Sequence, residues 1–76
     1  MNLSIGQPVT FVDEHRVSRA AVTTYVWRNS EKPDGCNLVF VSGDESRTDQ
    51  FGRQIEHKTS VPHESMTSAP GYFWRA

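Results

Sequence analysis

The residues of this 76-residue chain whose types could carry chemistry are three histidines, a lone cysteine, and a scatter of serines and aspartates. His15, His57 and His63 offer nitrogen ligands, but their spacings match no helical or knuckle-type zinc pattern, so they read as turn and surface histidines. Cys36 would need a histidine beside it and a depressed thiol pKa to act as a nucleophile, and a buried structural cysteine is the plainer reading. Ser60, His63 and Asp49 can be drawn as a serine–histidine–aspartate set, yet nothing around them resembles a nucleophile elbow or a paired-carboxylate cleft. The glycines at 6, 35, 43, 52 and 71 stand alone and form no phosphate-cradling motif. A chain this short hardly encloses a reaction pocket. The expectation is therefore no catalytic residue, no metal and no cofactor.

Binding is better served. Six of the eight basic residues are arginine (Arg16, Arg19, Arg28, Arg47, Arg53, Arg75), and arginine's planar fork suits fixed pairing with carboxylates or phosphates. The segment Arg47-Thr48-Asp49-Gln50-Phe51-Gly52-Arg53-Gln54 is the densest in polar groups. One reading is an internal network, with Asp49 accepting from turn amides and Arg53 covering an aromatic ring. The sharper reading makes Arg47 and Arg53 contacts to a neighbouring subunit or an anionic ligand. Tyr25, Trp27, Tyr72, Phe73 and Trp74 are numerous for a small core, and neighbouring strand residues cannot all point inward. Trp74 is assigned to the core. Tyr25, Trp27 and Tyr72, with Arg28, Arg47 and Arg53, form the candidate interface.

Charge and composition narrow the partners. A net charge of −1 supplies no general attraction for nucleic acid or an anionic membrane. The hydrophobic share is 36%, and no apolar run approaches the roughly 20 residues of a membrane-spanning helix. Met1 to Gly6 lacks the features of a secretory signal, so an intracellular protein is expected. With one cysteine, no intramolecular disulfide staples a chain whose folding hides only roughly 60% of its unfolded surface. Burying more surface against a copy or a partner is a common remedy, and self-association is expected on that ground.

The elements that must position these residues are short and β-rich. Pro8 to Asp13 reads as a strand ending in the turn Asp13-Glu14-His15-Arg16. From Val17 to Arg28 side chains alternate, with Val22, Thr24 and Val26 on one face and Ala21, Thr23, Tyr25 and Trp27 on the other. Residues 29–35 hold nearly every turn-favouring type and read as a mobile loop. Cys36 to Val41 is apolar on both faces, the pattern of a central strand covered on both sides. After a turn at 42–46, Phe51 to Thr59 supplies a fourth strand with Phe51 and Ile55 inward, Gly52 marking a bulge or a close backbone approach. Pro62 ends that ladder in a short helical turn, Pro70-Gly71 reorients the chain, and Tyr72 to Arg75 closes the sheet. These segments predict one all-β domain over 1–76: a small five-stranded SH3-like barrel with a short helical turn before the last strand.

The segments Val9 to Asp13, Ala21 to Trp27 (AVTTYVW), Asn37 to Val41 (NLVFV), Arg47 to Gln54 (RTDQFGRQ), Ser60 to His63 (SVPH) and Gly71 to Trp74 (GYFW) span most of the chain. Their run resembles a family of small, mostly uncharacterised proteins encoded in tailed-bacteriophage genomes. The resemblance implies a phage or prophage origin and a small barrel, made in the host cytoplasm, with the virion as a further location. It carries no established activity onto particular residues. The expected function is a non-catalytic structural or interaction module that docks on itself or on a larger assembly. The alternative is a small regulator or sponge that binds nucleotides or nucleic acid through arginines beside aromatics.

Overall fold

The structure, a computed structural model, describes residues 3–28, 34–66 and 71–76. Within them run the strands β1 (Pro8–Val12), β2 (Ser18–Trp27), β3 (Gly35–Val41), β4 (Thr48–Asp49), β5 (Gly52–Arg53), β6 (Ile55–Val61) and β7 (Phe73–Arg75), with a 3-10 turn at Glu64–Met66. Five of these form an antiparallel sheet in the order β6-β3-β2-β1-β7, while β4 and β5 make a separate ribbon. The last strand lies beside the first and follows a helical turn, which is the five-stranded SH3-like plan that the alternating segments predict. The sheet curls into a half-barrel. Its edges approach at the bridge between His63 and Trp74, where the Trp74 amide donates to the Pro62 carbonyl at 2.9 Å. Pro62 has no amide hydrogen to continue β6, so the chain leaves the ladder there.

The concave side holds the core. Val9 and Phe11 from β1, Ala21 from β2 and Leu38 and Phe40 from β3 pack with Trp74, and the Phe11 and Phe40 rings stack with centroids 4.9 Å apart. Burying each large apolar side chain contributes about 1.5–3 kcal/mol, which is what curls the sheet around them. Trp74 is 1% exposed, the core tryptophan expected. Thr23 is buried among these groups, and its hydroxyl accepts from the Gln7 amide at 3.0 Å and donates to the Ser4 carbonyl. That satisfied hydroxyl pins the segment before β1 over the core. The turn after β1 is built by Asp13, whose carboxylate accepts from the His15 and Val17 amides at 2.9 and 3.0 Å, and Arg16 takes a φ of 65°.

Several expectations are corrected. A bulge at Thr24 breaks the alternation of β2: Thr23 faces Leu38, but Tyr25 faces Asn37. One inserted residue sends every later side chain to the opposite face. Val26 therefore packs against the core, and Tyr25 and Trp27 turn away from Ala21 and Thr23, each 48% exposed. Phe51 and Ile55 do not point inward; they are 89% and 53% exposed. The fourth long strand begins only at Ile55, because 47–54 folds into the β4–β5 ribbon, with the Gln54 amide donating to the Arg47 carbonyl at 2.8 Å. Gly52 is neither bulge nor close approach: it sits in that ribbon with a φ of 117° and open space around it. β3 lies between β6 and β2, yet it is not covered on both sides, since its outward Val41 is 54% exposed. β7 starts at Phe73 rather than Tyr72. The loop expected over 29–35 lies outside the described residues at 29–33, as does Pro70.

Candidate interaction surface

Strand register places the outward side chains in rows across the convex face of the sheet. Pro8, Val22 and Val39 share one row, with His57 at its end. Ala20, Val41 and Ile55 occupy the next, where Val22, Val41 and Ile55 are 42%, 54% and 53% exposed. Beyond the Thr24 bulge the same stripe continues as Tyr25 opposite Asn37 and Trp27 opposite Gly35. A shallow apolar hollow of about 250 Å³ opens among Pro8, Ala20, Val22, Val39, Val41 and Ile55. The charged strand residues between these positions, Arg19, Glu56 and Lys58, fall on the concave side. The usual antiparallel sheet is apolar inside and polar outside, and here the outer face is largely apolar as well.

Two of the expected interface residues are fixed together on this face. The Tyr25 and Trp27 rings meet edge to face with centroids 4.6 Å apart. The Trp27 indole donates to Asn37 Oδ1 at 2.9 Å, and the same oxygen accepts from the Ser60 amide at 3.0 Å. Asn37 thus locks the exposed indole to the β3–β6 junction, so the aromatic ledge is pre-shaped and little side-chain entropy is left to lose on contact. Arg28 follows Trp27 and donates to Asp34 at 2.8 Å.

The remaining candidates lie elsewhere. Arg47 and Arg53 sit in the ribbon past the far end of β3, about 20 Å from Trp27 by strand rise. Arg47 faces Gln54 at 3.3 Å and Glu56 at 3.6 Å, and Arg53 donates to the Ser42 carbonyl at 3.1 Å. The network reading of this segment is partly met, since Asp49 accepts from the Phe51 amide at 2.8 Å. Among the described residues, the guanidinium groups lying over rings are those of Arg16, on Phe73, and Arg19, on Phe40. Tyr72 is half-buried, tilted against Phe11 at 6.1 Å with the Lys58 ammonium 4.3 Å from its ring centroid.

A second hollow, of about 260 Å³, opens at the mouth of the half-barrel between Phe11, Asp13, Arg19, Phe40, Glu56 and Lys58. It falls just below the range of about 300–1,000 Å³ typical of small-molecule sites. Several of its charges already have partners: Arg19 pairs with Asp13 at 2.6 Å, Glu56 faces Arg47 at 3.6 Å, and Lys58 lies 4.3 Å from the Tyr72 ring centroid. Of the histidines, His15 and His57 are exposed, whereas His63 packs on Trp74 and its Nδ1 accepts from the Ser65 amide at 3.2 Å. Among the described residues no three His, Cys, Asp or Glu side chains gather, and no helix is long and apolar enough to cross a membrane.

Sequence reasoning missed the outward valines and Ile55. The signal was present: residues 20–27 and 35–41 carry no charge at all, so those stretches put no charge on either face of the sheet. Comparison with protein-family models, curated proteins and solved structures finds no match.

Proposed function

We propose that this chain is a non-catalytic interaction module that docks, on itself or on a larger assembly, through the convex face of its sheet. The observation that carries the reading is the outward run of Ile55, Val41, Val22 and half-buried Val39, followed past Thr24 and Asn37 by Tyr25 and Trp27. Contiguous exposed apolar surface of this extent marks contact sites, because leaving it wet forgoes burial worth about 25 cal/mol per Å². A locked, half-exposed Tyr–Trp pair is the kind of anchor that dominates such contacts. The resemblance to phage-encoded proteins suggests a virion as the larger assembly. The test is the mass of the particle holding the chain, read by sedimentation, for the purified chain and for the chain returned to extract of its native cells. A particle heavier than 8.6 kDa is expected in at least one case. A free monomer in both would end the proposal.

Nucleotide or nucleic-acid binding is the second reading, favoured by Arg28 beside the Tyr25–Trp27 ledge. It requires a phosphate to compete with Asp34 for that guanidinium. A thermal-shift panel of oligonucleotides and cyclic nucleotides showing no stabilisation would remove it.

A further inference from the structure

We infer that the occupant of the convex face is a second copy of this chain, the two sheets packing face to face about 10 Å apart. The inference rests on the docking role proposed above and adds the partner's identity. Charge is the first ground. Among the described residues, no outward position of β1, β2, β3 or β6 is Asp, Glu, Lys or Arg. A twofold contact sets a patch against itself, so any charge near the axis would face its own kind. The four strands escape that penalty, and the charge this face does carry, Arg75 beside Thr10 on β7, lies at its edge, away from Val22 and Val41. A charged partner, by contrast, would find no charge on those four strands to pair with and would bury its ions uncompensated.

Area is the second ground. Strand spacing of about 4.8 Å and a rise of about 3.3 Å per residue give four adjoining strands of β3's length a footprint of at most roughly 450 Å², since the sheet is curled. Two copies then hide at most roughly 900 Å², and Tyr25 and Trp27, already half-buried, can each add about half of the roughly 150–250 Å² of such a side chain. The total lies near the roughly 1,200 Å² at which specific interfaces begin. An interface of that size makes a reversible, concentration-dependent dimer.

Sedimentation equilibrium of the purified chain over a range of concentrations, beside V41E and V22K, tests the inference. The wild-type mass is expected to climb from 8.6 kDa toward twice that value. Each charged variant, checked for folding by circular dichroism, is expected to weaken association about a hundredfold or more. A second readout needs no variant. Trp74 is buried and Trp27 is half-exposed, so acrylamide quenching reports Trp27 and is expected to decline as the wild-type chain is concentrated. A wild-type monomer at about 1 mM, a concentration that populates even weak dimers, overturns the inference. If that monomer still joins a heavier particle in extract, the docking role stands and only the second copy is refuted. Association that survives both substitutions in folded protein also overturns it, because another surface then makes the contact.

Discussion

The indole nitrogen of Trp74 donates to the backbone carbonyl of Asp34 at 2.9 Å, across 40 residues of chain. Asp34 leads into β3, and its carboxylate also receives Arg28 at 2.8 Å and the Leu3 amide at 3.3 Å. One residue at the entrance of β3 thereby gathers the amino-terminal segment, the end of β2 and the last strand. A curled sheet whose edge strands meet at a bridge rather than along a ladder needs such side-chain ties.

Trp74→Phe keeps most of the apolar bulk but removes the indole donor and opens a small void. The expected cost is about 2–4 kcal/mol, read as a lower urea midpoint with unchanged slope. A change under about 0.5 kcal/mol would show that the tie is dispensable.

Arg19 is held by Asp13 at 2.6 Å and by the Phe40 ring at 5.8 Å, and it occupies the space where a side chain at Gly43 would begin. A Cβ at position 43 would lie 2.5 Å from Arg19 Nη2, so Gly43→Ala must shift the guanidinium and strain its bond to Asp13. The cost expected for Gly43→Ala is about 1–2 kcal/mol in the wild-type background and near zero beside Arg19→Ala, a coupling that a double-mutant cycle reads directly. Additive effects would mean that the crowding is relieved elsewhere.

Acid stability should report Asp13. Burial, the largest single influence, raises its carboxyl pKa, but the hydrogen bond from Arg19, the Val17 and His15 amides and the Arg19 charge together outweigh it and hold the group below the ordinary value of 3.8. A carboxyl depressed in the folded state takes up its proton more readily in the unfolded chain. Its stabilisation is therefore complete above the unfolded value and drains away as pH falls through the folded one. The melting temperature is expected to hold from pH 7 to about 5 and to drop below about 4, less steeply in Asp13→Asn. Equal acid slopes in the two proteins would assign the loss to other carboxylates.

Cys36 is wholly buried beneath the sheet, and that burial pushes its thiol pKa up to about 11. The reactive thiolate is thus scarce at neutral pH and shielded as well. Native chain at pH 8 is expected to react with a thiol reagent only as fast as it opens, with urea accelerating the reaction in step with unfolding. Labelling at the rate of a free thiol without denaturant would contradict this placement.

Much of the scaffold was legible in residue order. β-branched and aromatic content marked β1, alternation marked β2, an apolar run marked β3, Pro62 marked where the ladder stops, and Asp13 announced its own turn, because each rests on a backbone preference or a hydrogen bond within a few residues. The convex face was not legible. Tyr25 and Trp27 were expected to be exposed and are, but the apolar residues that share their face, Val22, Val41 and Ile55, were assigned no such role.

By itself the sequence determined that the chain is mostly β, that a helical turn precedes the last strand, and that residues 20–27 and 35–41 carry no charge. Only the tertiary structure decided which way the side chains face after Thr24 and that Phe51 and Ile55 lie outside. The reason is physical. Alternation counts positions along one strand, while a bulge or a ribbon is selected by pairing with a neighbour distant in the chain, and a single inserted residue there exchanges inside for outside.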